Sequence, residues 1–208
     1  MKKHFIISAL LVFAIFISGC INFFPTLEDN SIASGKGRLE IYLTDSSEKY
    51  KANDSENYLA VYITISKIEA HVAGVDEGAE GEWILLREWV EGEEPVFDLT
   101  ILQDVSELLV DEFFEVGKYT QLRLFISEVS VLVEGGASEE PVEIPSVYQT
   151  GIKLIHPFEI VDGEETVLTI DFDAEKSIVK TGNGSYKLQP VIKIVTGYTE
   201  EAEEPIEE

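Results

Sequence analysis

Asp171, Asp173 and Glu175 stand at alternate positions after the apolar alternation of Leu168, Ile170 and Phe172. Carried on a strand, all three carboxylates project from the face opposite those apolar residues, with Cα atoms about 7 Å apart. Carboxylate oxygens are the donors that a hard cation takes, six to eight at a time, so one expectation is a weak calcium site. An EF-hand loop does not fit, because its sixth residue is Lys176 where glycine is needed and its twelfth is Gly182 where a bidentate acid is needed. The preferred alternative is cross-strand pairing of these acids with Lys153, Lys187 or Lys193, with Glu175 turning the chain. Beyond that calcium we expect no cofactor.

Other chemistry is sparse. His71 falls on the outward phase of its segment and His156 precedes Pro157, and neither neighbours a nucleophile motif. Gly-x-Ser-x-Gly, His-Glu-x-x-His and phosphate-cradling glycine loops are all absent from the sequence. With 40 acids some carboxylate pair always falls within reach, so glycosidase geometry carries no weight, and we expect no enzyme. Trp83 and Trp89 bracket an apolar segment and suit either an aromatic platform for glycan or, more ordinarily, core packing. Asn53-Asp54-Ser55 and Asn183-Gly184-Ser185 match the glycosylation acceptor pattern.

The amino terminus reads as an address. Met1-Lys2-Lys3-His4 is basic, and Phe5 to Ile17 is an apolar run too short to span a hydrocarbon core of about 30 Å. The run ends in Ile17-Ser18-Gly19-Cys20, which resembles a lipobox, so residues 1–19 are expected to be a signal peptide and Cys20 a lipidated first residue. Two long acyl chains at about 0.8 kcal/mol per methylene hold such a protein on a membrane. The location expected is therefore the extracytoplasmic face of a membrane, at the cell surface, with the membrane itself as first partner.

The chain has 208 residues, 45% hydrophobic and 26% charged, enough for one ordinary globular domain. Fifteen Lys and Arg against 40 acids give a net charge of −25, which repels a phosphate backbone and excludes nucleic acid as a partner. A single cysteine excludes a disulfide framework and multi-cysteine zinc sites. Residues 20–36 read as a stalk, residues 199–208, with six glutamates and no base, as a solvated tail, and residues 37–198 as the folded domain.

Within that domain the dominant period is two, the mark of half-buried strands. Leu39, Ile41 and Leu43 alternate with polar neighbours. Val61, Ile63 and Ile65 are odd-numbered while Ile68, Ala70 and Val72 are even, which predicts a bulge near Ser66-Lys67. The same slip separates Leu122, Leu124 and Ile126 from Val129, Val131 and Val133. Further strands are expected at Trp83–Leu86, Ile152–Ile160, Thr166–Asp173, Ile178–Thr181 and Tyr186–Val195, with a hairpin turn at Gly182-Asn183-Gly184-Ser185. Thr100-Ile101-Leu102-Gln103 has the form of a capping box, which predicts a helix reaching about Val110. The fold class expected is an all-β antiparallel β-sandwich with one short helix.

Five stretches carry a resemblance: Gly37–Asp45, Val61–Glu69, Tyr119–Leu124, Gln149–Leu154 and Leu168–Ile178. In order and across most of residues 37–195, they resemble a prokaryotic family of secreted proteins and lipoproteins catalogued as domain of unknown function 4382. The resemblance implies a sandwich of the transthyretin-like, immunoglobulin-like or carboxypeptidase-regulatory-like kind on archaeal or bacterial surfaces. It brings no catalytic residues. The expected function is a non-enzymatic surface lipoprotein acting as a binding or structural module, with a surface protein or glycan as partner. Two alternatives are a subunit of a surface assembly built by strand addition, and a metal-dependent surface hydrolase.

Overall fold

The computed structural model describes residues 35–45, 57–74, 80–103 and 105–196. Twelve strands occur in the order β1 (Lys36–Thr44), β2 (Tyr58–Val72), β3 (Glu82–Glu88), β4 (Val96–Asp98), β5 (Glu107–Glu115), β6 (Gly117–Val133), β7 (Glu140–Glu143), β8 (Ile152–Ile160), β9 (Glu165–Phe172), β10 (Ile178–Lys180), β11 (Tyr186–Leu188) and β12 (Ile192–Thr196). The one α-helix among the described residues is α1 (Ala174–Ser177). No helix among them is long and apolar enough to cross a membrane.

The strands form two sheets. A smaller one has the order β12-β9-β1-β5, and a larger one runs β10-β11-β7-β6-β2-β3, with β4 also on β2 and β8 also on β6. Their apolar faces enclose a single cluster that includes Leu39, Ile41, Ile63, Ile68, Leu122, Leu124, Val131, Leu168, Ile170 and Phe172. The all-β sandwich is thus present. It is not wholly antiparallel, since β1 pairs with β9 and β7 with β11 in parallel.

The phase changes read from the sequence are real. In β2, Ile65 and Ile68 are buried while Ser66 and Lys67 between them are both half-buried, and the register against β6 shifts on either side of Ile65. In β6, Ser127 and Glu128 are both exposed between buried Ile126 and Val129. Thr64 faces Glu128, Ile65 faces Ile126 and Lys67 faces Phe125, so the extra residues Ser127 and Ser66 lie side by side on the two strands. An extra residue flips every later side chain to the other face, and matched extras on both strands keep the apolar sets together.

Two expectations are corrected. No helix follows Thr100: Asp98 caps a 3₁₀ turn at Leu99–Ile101 by accepting from the Thr100 amide, and the chain then enters β5. The helical spacing misled because Leu109 and Val110 are both buried at a bulge opposite Ile41/Tyr42, whereas Val105 and Leu108 are exposed and share no helical face with Leu102. The segment expected as one strand from Tyr186 to Val195 is split at Pro190, which lacks an amide proton and cannot continue the ladder, so β11 joins the larger sheet and β12 the smaller. The predicted hairpin forms between β10 and β11, with Gly184 at φ +90° and the Thr181 amide bonded to the Ser185 carbonyl at 2.8 Å.

Ile63 and Leu122 are fully buried, whereas Ile155 is 84% exposed. Ile63→Ala and Leu122→Ala are each expected to lower unfolding free energy by about 2–5 kcal/mol, and Ile155→Ala to change it by less than about 0.5 kcal/mol. Urea denaturation followed by tryptophan fluorescence checks this, and comparable losses at all three positions would contradict the assigned facing.

Candidate functional site

The outer face of the larger sheet carries a ladder of charges and rings. β2 presents Lys67, Glu69 and His71, β6 presents Arg123 and Phe125, and β3 presents Trp83, with Glu69 opposite Arg123 and His71 opposite Trp83 in register. Glu69 accepts from Lys67 at 2.7 Å and from Arg123 at 3.1 Å. The Arg123 guanidinium lies 3.6 Å from the centre of the Trp83 ring, and Lys67 Nζ lies 4.1 Å above Phe125. His71 meets Trp83 edge-on, and its Nδ1 is 2.9 Å from the Thr120 hydroxyl. The ladder depends on Gly151. That residue has φ +91°, and a Cβ there would lie 2.4 Å from Arg123 Cγ.

Both tryptophan faces are met from within the chain. Trp83 is covered by Arg123, and Trp89 packs against the core with Arg87 5.6 Å from its ring. A flat guanidinium stacks on an indole as an ammonium cannot.

The smaller sheet has its own cluster around Arg38. β1 runs between β5 and β9, so Arg38 reaches both neighbours: Asp111 takes a two-pronged pair at 2.7 and 2.9 Å, and Glu165 accepts at 2.9 Å. Glu40, buried on the same strand, takes the third contact at 2.9 Å and accepts from the Tyr42 hydroxyl at 2.8 Å. A buried carboxylate is tolerated because cation and hydroxyl replace its water. The hydrogen bond from Arg38 holds the Asp111 carboxyl below its usual range, the same contact raises the Arg38 guanidinium, and the bond to Glu40 raises the Tyr42 phenol. Burial raises Tyr119, whose hydroxyl donates to the Glu115 carbonyl at 2.8 Å.

The three acids expected on one strand face are divided between elements. Strand β9 ends at Phe172, Asp173 caps α1 by accepting from the Lys176 amide, and Glu175 lies in that helix. Asp171 is buried beside Lys193 of β12, whose Nζ lies at 2.8 Å, and Asp173 also pairs with the Lys176 ammonium. That pairing raises the Lys176 ammonium above the ordinary lysine range. Asp45, fully buried at the end of β1, accepts from the Ala174 amide at 3.2 Å. Among the described residues, no three His, Cys, Asp or Glu side chains converge where a metal ion could be held. Asp171 thus meets Lys193, one of the three lysines proposed from sequence, while Lys187 turns to Glu143 at 3.6 Å.

Asn183 is exposed in the β10–β11 turn, where its side-chain oxygen accepts from the Ser185 hydroxyl at 2.9 Å. His156 Nε2 lies 2.7 Å from the Thr196 hydroxyl. Cys20 and Asn53 lie outside the described residues. Sequence reading missed the Arg38 and Arg123 clusters. A usable signal was the rarity of arginine: the chain has three, Arg38, Arg87 and Arg123, and each meets a carboxylate across a strand boundary.

Two outcomes follow from this geometry. Because Asp111 titrates below its unfolded value, its stabilisation is present above the ordinary carboxylate range and is lost as pH falls below about 4. Arg38→Leu is expected to lower stability at pH 7 and to flatten the acid limb, so that the two urea-unfolding curves approach each other as pH falls below the ordinary carboxylate range; parallel curves would contradict the linkage. Calcium at millimolar concentration is expected to leave the melting temperature unchanged, because Lys193 and Lys176 already neutralise Asp171 and Asp173. A calorimetric binding isotherm abolished by Asp171→Asn would show instead that the ion displaces Lys193.

No curated protein and no solved structure matches the sequence. Residues 36–190, from the first residue of β1 to Pro190 where β11 and β12 part, match the family described as domain of unknown function (DUF4382). With most of both sheets inside that match, the chain belongs to this family.

Proposed function

We propose that the chain is a lipid-anchored, non-enzymatic β-sandwich at the extracytoplasmic face of a membrane, where it acts as a binding or structural module. The location rests on Ile17-Ser18-Gly19-Cys20 following a short apolar run. The role rests on one observation. Five carboxylates of the two outer faces, Glu69, Glu40, Asp111, Glu165 and Asp171, are each committed to a cation on the same or an adjacent strand instead of gathering around a nucleophile. Such ladders stiffen a surface and give it a fixed pattern of charge and apolar area, which is what a docking module needs.

A second reading, subunit of a surface assembly, is favoured by β5, which forms an edge of the smaller sheet and pairs with β1 alone among the described strands. An open edge is the element that strand addition requires.

Anchoring is tested by fractionation and intact-mass measurement of the protein from its own cells. The wild type is expected to resist high-salt extraction from membranes and to carry acyl or ether lipid on Cys20, and Cys20→Ser to lose the lipid. A native chain recovered from the cytosol with residues 1–19 attached and Cys20 unmodified would overturn the location.

A further inference from the structure

From β5 we infer an interaction surface for an extended, basic segment of another polypeptide, added as a fifth strand to the smaller sheet. This inference rests on the binding-module reading and names the surface and partner. β5 spans nine residues, Glu107–Glu115, at the end of the order β12-β9-β1-β5. The side of an edge strand away from its neighbour offers amide and carbonyl groups to any chain that lies along it.

The side chains fix the chemistry of that chain. Leu108, Asp111, Phe113 and Glu115 face Tyr42, Glu40, Arg38 and Lys36 of β1 in register, and so share the outer face of the sheet. Leu108 is 47% and Phe113 43% exposed, an apolar presence between two acids. Asp111 and Glu115 hold Arg38 and Lys36 of β1 at 2.7 and 3.5 Å. A strand on the opposite side whose outer face alternates Lys or Arg with an aliphatic residue shares those carboxylates from the far side and sets the aliphatic residue beside Phe113, the favourable cross-strand pairs. The net charge of −25 draws such a strand in from a distance.

A second copy of this chain is the poorer occupant. Its net charge repels its own kind, a second β5 would set Asp111 and Glu115 against like charges, and residues 21–34 contain Glu28, Asp29 and Pro25 and no base. The edge is also guarded against indiscriminate pairing. Its register breaks opposite Ile41/Tyr42, and Glu112, opposite the buried Leu39, pairs with Arg87 of β3 at 3.3 Å.

The probe is the peptide Lys-Thr-Val-Thr-Lys-Thr-Val-Thr-Lys, added to the full chain in detergent, with amide hydrogen exchange as readout. Protection of at least tenfold is expected at amides within Glu107–Glu115, with none gained in β12. N-methylating alternate peptide amides should abolish the protection, replacing Lys by Glu should weaken binding at least tenfold, and Phe113→Lys should do the same without moving the melting temperature. Equal binding of the N-methylated peptide would mean ion condensation on an anionic protein and overturn the proposal. So would protection confined to other strands, concentration-dependent self-association that protects β5 without peptide, or no protection at millimolar peptide. Fractionating the wild type beside the titration separates the two ideas: unanchored wild type with β5 still protected contradicts only the location, and anchored wild type without protection contradicts only the edge.

Discussion

The pairing of β2 with β6 is the constraint on which the rest of the molecule depends. These strands, 15 and 17 residues long, share one ladder from Tyr58 opposite Val133 to Val72 opposite Tyr119, and every other strand of the larger sheet attaches to one of them directly or, for β11 and β10, through β7. At about 3.3 Å per residue the ladder is near 50 Å long, and a flat pair of that length could not keep one face on a twisted core. The adjacent extra residues Ser66 and Ser127 solve this by bending both strands at one level. Below the bend Ile63 and Val129 point inward, and above it Ile68 and Leu124 do.

The bend also decides where the outward charged and aromatic groups stand. With inward positions filled by Val, Ile and Leu, the outward ones are left to Lys67, Glu69, His71, Arg123 and Phe125, at cross-strand distance from one another. In a chain with 40 acids and 15 bases, each cation has more than one carboxylate to choose from, and the arginines are used where a planar fork or a stacked ring gains most. Arg38 joins three strands of the smaller sheet and Arg123 joins all three that carry the ladder of the larger. Both clusters lie on outer faces, each joined across three strands.

Much of this was legible in the sequence. Alternation located β1, β2, β6 and β8, and the change from odd to even apolar positions marked both bulges, because a strand has only two faces and a slip must show as a change of parity. Where that parity failed, the reading failed. Leu108-Leu109-Val110 holds a bulge within a three-residue apolar run, so a helical spacing fitted as well as a strand, and β5 was misread together with the edge it forms. The cation pairs were hidden for another reason: Arg38 and Asp111 are 73 residues apart, and only the order of strands makes them neighbours. The acids Asp171, Asp173 and Glu175 were read as one strand face, but the strand stops after Phe172, Asp173 caps the helix turn and Glu175 lies within it.

Family membership adds no activity to this picture, and the support of the sandwich is the central ladder. Native-state hydrogen exchange with increasing denaturant tests it most directly, since it ranks amides by the free energy of the opening that exposes them. The amides that β2 and β6 donate to each other are expected to exchange only through global unfolding, after those of β1, β9 and β12 have opened in smaller units. If the smaller sheet proved the last to open, with the β2–β6 ladder exchanging first around Ser66 and Ser127, the bulged pair would be a weak seam and not the support of the sandwich.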